Sequence, residues 1–542
     1  MASSPTTTPT STPATPSSPW SPLRHKAFRW LWLAQLGSNT GVWMQTVGAQ
    51  WFLVEQSHSS AIVAWVQTAS TLPALLLSLV AGVLADSYDR KALLIISNGA
   101  ATFFAALLAL LSYANALSPW SLLALTFLLG CSSTLTGPAW QAIQPELVPR
   151  SELASASALG SVTVNAARAI GPAIAGFLVS MSGPSLVFAL NAASFAIVIV
   201  ALVGWKHQRT QVSHRDSLLS SLKVGISYST HAPIVRRILL RSTLFILPAS
   251  ALWALLPAAA TQNLHLSASG YGILLGLLGI GALLGVALMP IARKKLGGNR
   301  IIALSALLFG IGTAAVVTLP IAAVYALLIV SGIAWIGTLT NLNAAMQLTV
   351  PAWVRARGMS VYLLVFMGMQ AVGSFVWGLV SDFAGVQLTL LIAAGLLILV
   401  AISAIPLPLP AATGTLDRTV VALCQASPTL VFEPDPRDAV LVRRTYTIAP
   451  ADEQAFLDAM TYVRDGRRRT GATSWNLLKS EDDATSFVEE FYVRSWSEFT
   501  EQSLHRWTGE DDRHLRDAVN LSSAPVRQTH LIDVSPRAKA RY

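Results

Sequence analysis

The stretch Gly82-Val83-Leu84-Ala85-Asp86-Ser87-Tyr88-Asp89-Arg90-Lys91 places two carboxylates and two cations between two long apolar runs, 61–84 and 92–114. Each run can cross a bilayer core of ~30 Å as a helix, which takes about 20 apolar residues. A carboxylate at such a helix end can accept hydrogen bonds from a neighbouring helix N-terminus, and a nearby arginine balances its charge. The stretch therefore predicts a charged turn between two membrane spans.

The apolar pattern continues outward from this turn over most of the chain. The 542 residues are 53% hydrophobic and 12% charged, and the mean hydropathy of +0.54 is too high for an ordinary soluble protein. We predict an all-α membrane protein with twelve transmembrane helices. The predicted spans are 27–54, 61–84, 92–114, 118–141, 153–180, 184–205, 237–260, 269–291, 300–319, 321–348, 357–381 and 386–405.

The charge distribution predicts the orientation of these spans. The net charge of +10 divides into +13 over residues 1–410 and −3 over 411–542, so the excess belongs to the apolar part and does not indicate nucleic acid binding. Apart from Arg168, the Lys and Arg residues before 410 lie in alternate connections, as the positive-inside rule requires. We expect a multi-pass protein of the cell membrane with both termini in the cytoplasm.

The longest internal connection divides the spans into two six-helix halves. Pro149, Gly171 and Gly176 recur 202 residues later as Pro351, Gly373 and Gly378, as parallel repeats would require. The predicted segments are a disordered cytoplasmic tail (1–22), half 1 (23–205), a cytoplasmic linker (206–235), half 2 (236–405), a second linker (406–430) and a cytoplasmic α+β domain (431–542).

The charged turn resembles the signature G-x-L-A-D-x-x-G-R-K of the major facilitator superfamily, and it departs from that signature at Asp89, where the family has glycine. The resemblance implies a conformational gate formed by Gly82, Asp86, Asp89 and Arg90, which closes one side of the protein and breaks when the other side closes. The alternative is that these are ordinary loop charges.

The fifth span holds a charge and a glycine motif. The run Gly171-Pro172-Ala173-Ile174-Ala175-Gly176 is similar to the end of the motif of facilitator antiporters, with Ala175 in place of one glycine. Asn165 and Arg168 precede it, and a charge inside a span usually marks a cavity or a partner. We place both residues in a translocation path, and the alternative for Arg168 is a structural tie to backbone carbonyls.

The first span carries polar residues on one helical face: Gln35, Asn39, Trp43, Thr46 and Gln50. Polar atoms within the bilayer must face a cavity or another helix. We assign this face to the translocation path, and polar contacts between helices are the alternative.

Carboxylates are scarce in the apolar part, and none of them lies deep in a span. Glu55 and Asp382, at outer span ends, are the remaining candidates for proton coupling. The sequence lacks a G-x-x-x-x-G-K-[ST] loop, which disfavours ATP drive. Cys131 and Cys424 do not suggest a metal site. We expect no cofactor, no metal and no catalytic residues.

The residues after 430 form a separate pattern. A strand at 440–448, a helix at 452–464, a hairpin at 474–479 and 487–494, a helix at 497–507 and a strand at 526–534 give the order of a ferredoxin-like unit. The unit is similar to dimeric α+β-barrel domains, including antibiotic-biosynthesis monooxygenases, which implies self-association. Catalysis involving His505 is the alternative.

The whole chain resembles the bacterial exporters called transmembrane secretion effectors, which include proteins like the enterobactin exporter. The resemblance implies alternating access and the export of a siderophore or amphiphilic drug-like compound by proton antiport. The expected partners are a small-molecule substrate, protons and the lipid bilayer. The alternatives are an uptake or facilitated carrier, a transporter with an enzymatic tail, and a membrane receptor without transport.

Overall fold

The computed structural model describes residues 18, 20–57, 59–205, 218–409, 416–423 and 434–532. The predicted disordered tail lies almost wholly outside these residues, as do 206–217 of the first linker and most of the second. The helices of the apolar part are α1 (Lys26–Gln56), α2 (Ser60–Ser87), α3 (Arg90–Tyr113), α4 (Pro119–Leu147), α5 (Leu153–Ser182), α6 (Pro184–Gly204), α7 (Leu218–His231), α8 (Pro233–Gln262), α9 (Ala268–Thr318), α10 (Ile321–Thr349), α11 (Arg355–Ala384) and α12 (Val386–Ile402).

Nine helices of the described chain are long and apolar enough to cross a membrane. Helix α9 has 51 residues and covers two predicted spans, joined where Gly297 adopts a non-helical φ of 73°. Large apolar side chains lie exposed around the helices, among them Phe103, Val200 and Leu399. Such a surface is unfavourable in water and is expected in contact with lipid tails.

Two helix groups pack against each other. The first group is α1–α6 and the second is α8–α12, and the most extensive contacts between them are α2 with α11 and α5 with α9. In both groups a glycine with positive φ, Gly183 at 75° and Gly385 at 78°, joins the last two helices. Only glycine adopts this conformation without steric cost. These glycines are 202 residues apart, which is the displacement of the predicted repeat.

The linker between the groups contains structure that the sequence analysis did not assign. Helix α7 lies within it and packs against α11 and α8, and α8 begins at Pro233, three residues before the predicted start of the second half. The close approach of Gly225 to the backbone of Arg357 brings α7 against the first turn of α11. The linker is therefore partly a packed element.

The tail forms a four-stranded antiparallel sheet in the order β2-β3-β1-β4. Its elements are β1 (Val440–Thr447), α13 (Glu453–Thr470), β2 (Ser474–Lys479), β3 (Ser486–Val493), α14 (Trp496–Glu501), α15 (Gly509–Asn520) and β4 (Arg527–Ile532). The predicted strands and both predicted helices are present, the second as α14 followed by a helical turn at Gln502–Arg506, but α15 was not predicted. Residues of the predicted second linker also belong to this unit, since the N–H of Val421 donates to the carbonyl of Trp507 at 2.9 Å.

Candidate functional site

At the end of the bundle that holds the α1–α2 connection, a carboxylate joins the two helix groups. Asp382, at the end of α11, accepts a hydrogen bond from the Ser59 hydroxyl at 2.6 Å and another from the Ala61 N–H at 2.9 Å. Both donors belong to the start of α2, so the carboxylate caps a helix of the other group. Nearby, the Gln262 amide of α8 donates to the Ser60 hydroxyl at 3.3 Å. We call this end the sealed end.

We expect Asp382→Asn to loosen the sealed end, because an amide carries no charge and one of its groups is a donor. Losing a charge-assisted bond costs about 1.5–3 kcal/mol, which corresponds to about tenfold or more in the population of the opened state. The measurement is the rate at which a hydrophilic maleimide labels Thr68→Cys after both native cysteines are replaced by alanine.

Glu55→Gln is the matched control for this prediction. Glu55 is an exposed carboxylate at the same end, and among the described residues it accepts a bond from the Trp51 indole of its own helix alone, at 2.7 Å. The maleimide should therefore label Thr68→Cys in the Glu55→Gln variant at the same rate as in the protein with native Glu55 and Asp382. Equal rates in the two variants would show that Asp382 does not hold the sealed end.

Small residues let the two groups approach closely near the sealed end. A Cβ atom added to Gly176 of α5 would lie 2.5 Å from the carbonyl oxygen of Ala268 and 3.0 Å from the Cα of Gly272. The Thr68 hydroxyl of α2 donates to the carbonyl of Ala371 at 3.2 Å. The glycine of the antiporter-like motif therefore lies in the contact between groups.

We expect Gly176→Ala to separate α5 from α9, since the added atom meets backbone that a side-chain rotation cannot move. Overpacking of this kind costs about 1–3 kcal/mol. The measurement is the distance between spin labels at Met181 and Ser267, which should increase. Gly99→Ala is the control, because a Cβ there meets nothing within 4 Å. An unchanged distance with Gly176→Ala would contradict the contact.

The end with the α2–α3 connection, the basic end, carries the predicted gate. The side chain of Asp86 lies outside the described part of the structure. Arg90 donates to the Glu146 carboxylate of α4 at 2.8 Å and to the Ala142 carbonyl at 3.1 Å. Asp89 caps α3 by accepting a bond from the Ala92 N–H at 2.9 Å. A cap explains an aspartate where the family signature has glycine.

Glu146 is a site residue that the sequence analysis did not select. Its pairing with Arg90 joins α3 to α4 within the first helix group. A Cβ added to Gly82, the first residue of the motif, would meet no atom of the described residues within 4 Å. The sequence offered no signal for the Glu146 contact, because the two partners are 56 residues apart and lie in different spans.

The polar face of α1 divides into two parts. Gln50 is buried and joins the groups, since it accepts a bond from the Tyr271 hydroxyl at 2.5 Å and its amide lies 3.5 Å from the Trp253 carbonyl oxygen. Thr46 bonds to the carbonyl of Val42 in its own helix. The other pair, Gln35 and Asn39, lies closer to the basic end, where the Gln35 amide donates to Asn39 at 3.4 Å.

Arg168 lies beside an aromatic cluster that spans both groups. Its guanidinium carbon is 5.5 Å from the centre of the Trp43 ring, which is 6.1 Å from Trp253, and Trp253 is 5.3 Å from Trp335. We call these four residues the Arg–Trp cluster. Gly171 permits this approach of α5 to α1, because a Cβ there would lie 2.8 Å from the Cβ of Trp43.

The Arg–Trp cluster contains hydrogen-bond donors without acceptors. Among the described residues, Arg168 Nε, Trp253 Nε1 and Trp335 Nε1 are buried and have no hydrogen-bond partner. Buried donors of this kind cost free energy unless a ligand or water satisfies them. The cluster therefore offers a cation, two further donors and flat apolar rings to a molecule with acceptor oxygens.

The other residues of the predicted path contribute less. Asn165 donates to the carbonyl of Ser161 one turn earlier in α5, and Pro172 lies within the helix at its contact with α9. In the tail, His505 is exposed, and the Trp475 indole donates to the buried Glu489 at 3.0 Å. Within the described residues, the structure shows no group of His, Cys, Asp and Glu that could hold a metal.

Comparison with known proteins gives a consistent result. A family model described as "Transmembrane secretion effector" matches residues 17–537. The staphyloferrin A transporter of Staphylococcus aureus is 27% identical over 350 residues, which cover 64% of this chain and 88% of that protein. The enterobactin exporter EntS of Shigella boydii is 29% identical over 215 residues, or 39% of this chain and 51% of the exporter.

Solved structures agree in fold. The nucleoside transporter NupG has a TM-score of 0.55 at 16% identity, covering 70% of this chain and 98% of its own. A bacterial homologue of the iron transporter ferroportin, in an inward-facing state, has a TM-score of 0.54 at 17% identity with the same coverage. At these identities the likeness concerns the fold alone.

Proposed function

This chain belongs to the transmembrane secretion effector family of major facilitator transporters, and we propose that it exports an anionic siderophore. The observation that carries the proposal is the Arg–Trp cluster at the contact of the two helix groups, with its unsatisfied donors. A siderophore presents acceptor oxygens to bind iron. The names of the staphyloferrin A transporter and the enterobactin exporter support the same class.

We propose twelve spans with both termini in the cytoplasm. Helix α9 supplies two spans on either side of Gly297, while α1 and α12 complete the count. The positive-inside rule makes the basic end cytoplasmic and the sealed end external. In this proposal the sealed end is closed to the outside and a cytoplasmic substrate is loaded from the basic end.

Export follows if the two groups rock about the Arg–Trp cluster. Opening to the outside must break the hydrogen bonds of Asp382 and the contact at Gly176. At the same time the stretch Gly82–Lys91, which contains Asp86, Asp89 and Arg90, closes the cytoplasmic side. We include proton antiport in the proposal, with Glu55 and Asp382 as the coupling candidates. A protonated Asp382 would hold α2 less strongly, because the charge assistance of its hydrogen bonds is lost. The proposed activity is transport without chemical change of the substrate.

The test uses inside-out vesicles with an acidic interior and a panel of labelled siderophores and amphiphilic cations. We expect a siderophore to accumulate inside and to dissipate the pH gradient, and Asp86→Asn to abolish both signals. If a siderophore accumulated without dissipating the pH gradient, the export proposal would stand and the proton antiport would be withdrawn. Accumulation only in right-side-out vesicles would replace export by uptake, and accumulation of cations alone would exclude an anionic substrate.

A further inference from the structure

A cavity of about 350 Å³ lies between α7 and the tail domain. Ser227 and His231 of α7 form one wall, and the opposite wall comes from the end of α13 and the segments around α14. The Ser227 hydroxyl lies 3.4 Å from the carbonyl oxygen of Arg468, which joins the two walls at one edge. The cavity therefore lies where the tail contacts the connection between the two helix groups.

The lining of this cavity is strongly basic. Four arginines line it, Arg468, Arg469, Arg494 and Arg506, against one carboxylate, Glu498. Arg469 is paired with Asp511, and Arg506 lies 3.4 Å from Glu498. Among the described residues of the lining, two positive charges therefore remain, on Arg468 and Arg494.

Neither remaining arginine is held in place by a carboxylate in the described structure. The Arg468 Nε is buried and has no hydrogen-bond partner among the residues that the structure describes. Arg494 is an exposed residue of the lining. Because no carboxylate of the described residues holds them, the guanidinium groups of Arg468 and Arg494 can turn toward a ligand at little cost to the fold.

The free carbonyl groups at a helix C-terminus usually repel an anion. At the C-terminus of α13 these carbonyls are hydrogen-bonded, so the repulsion is reduced. The carbonyl of Thr470 accepts a bond from Arg506 at 3.1 Å. The carbonyl of Arg467 accepts bonds from the N–H groups of Gly471 and Ala472, at 3.2 and 2.9 Å. With these carbonyls satisfied, the arginines dominate the field in the cavity.

We propose that this cavity binds a phosphate-bearing anion that fixes the tail domain to α7. Arginine pairs with phosphate through two parallel hydrogen bonds, and two arginines match the charge of one phosphate group. Helix α7 packs against the start of α11 near Arg357, so the ligand links the tail to the second helix group. The ligand is a soluble phosphate compound or a phospholipid headgroup, and binding does not depend on which substrate is transported.

The test measures binding of radiolabelled inorganic pyrophosphate to the full chain in phosphatidylcholine nanodiscs. We expect saturable binding that Arg468→Gln with Arg494→Gln weakens about a hundredfold, or about tenfold for each charge-assisted contact. The matched control is Arg513→Gln with Arg516→Gln, which removes two charges from the exposed face of α15 and should leave the affinity unchanged. Arg469 and Arg506 stay intact because they hold the domain together.

A second arm identifies the source of the phosphate. If a headgroup is the natural ligand, nanodiscs with phosphatidylglycerol should reduce pyrophosphate binding more than nanodiscs given the same charge by oleate. Equal binding in both would assign the site to a soluble compound. Absence of saturable binding, or equal weakening by the two double variants, would overturn the proposal. Each of these results is independent of transport activity.

Discussion

Replacing Arg168 by glutamine is expected to reduce siderophore export by about two orders of magnitude while leaving the protein folded. A charge-assisted hydrogen bond to an anion contributes about 1.5–3 kcal/mol, and glutamine cannot supply it. The fold should tolerate the change because the Arg168 Nε has no partner among the described residues, and a charge within the membrane is itself costly. Arg168→Lys keeps the charge but loses the planar donor pair, so its rate should be intermediate.

The measurement is uptake of labelled substrate into inside-out vesicles, together with thermal unfolding of each purified variant. Arg241→Gln provides the contrast, because Arg241 is buried and its guanidinium donates to the Leu407 carbonyl at 2.7 Å and to the Ser403 hydroxyl at 3.2 Å. That arginine ties α8 to the end of α12, so its loss should lower stability. A loss of stability in Arg168→Gln equal to that in Arg241→Gln would make Arg168 a structural residue.

The largest expected effect on stability lies in the tail, at Glu489. Its side chain is fully buried and accepts bonds from the Tyr446 hydroxyl at 2.9 Å, the Trp475 indole at 3.0 Å and Arg467 Nε at 3.3 Å. Arg467 is itself buried, against the rings of Phe491 and Trp507. Glu489→Gln leaves the Arg467 charge without its counter-ion, which costs about 3–5 kcal/mol.

The same cluster predicts how the stability of the tail depends on pH. Burial by itself would raise the pKa of Glu489, but Arg467 and Arg444, with the bonds from Trp475 and Tyr446, outweigh it and hold that pKa below its usual range. A lowered folded-state pKa adds stability above the unfolded value of about 4.3, and this stability is lost as the pH falls through the folded value. We expect constant stability from neutral pH to about pH 5 and a decrease in acid.

Both the stability loss in Glu489→Gln and the pH dependence can be measured by unfolding the full chain in urea. Hydrogen exchange of the β1 and β3 amides reports the unfolding of the tail. Glu490→Gln is the control, since Glu490 is the next residue and pairs with the exposed Arg443 at 2.7 Å. Surface pairs of this kind contribute about 0–1 kcal/mol. Equal urea midpoints for the two variants would contradict the importance of the buried cluster. If the stability of the tail decreased in acid as steeply in Glu489→Gln as in the unsubstituted protein, the lowered pKa of Glu489 would be contradicted.

The basic run in α13 shows how local sequence fails to predict environment. Taken by itself, a basic run such as Arg464, Arg467, Arg468 and Arg469 predicts a solvated face or contact with anionic headgroups. In the structure Arg467 is buried with Glu489, Arg469 pairs with Asp511, and Arg468 lines the cavity beside α7. Their partners come from β3, α15 and the membrane part, and none of these can be inferred from the run itself.

The membrane class, the approximate positions of the long apolar helices and the order of the tail's strands along the chain follow from the amino-acid sequence. These properties depend on apolar runs, helix caps and local alternation, which act over a few residues. The pairing of Arg90 with Glu146, the capping of α2 by Asp382 and the position of Arg168 among tryptophans of both groups are visible only in the folded protein. Such contacts join residues tens to hundreds of positions apart, and they form only when packing of the helices brings the side chains within a few ångströms.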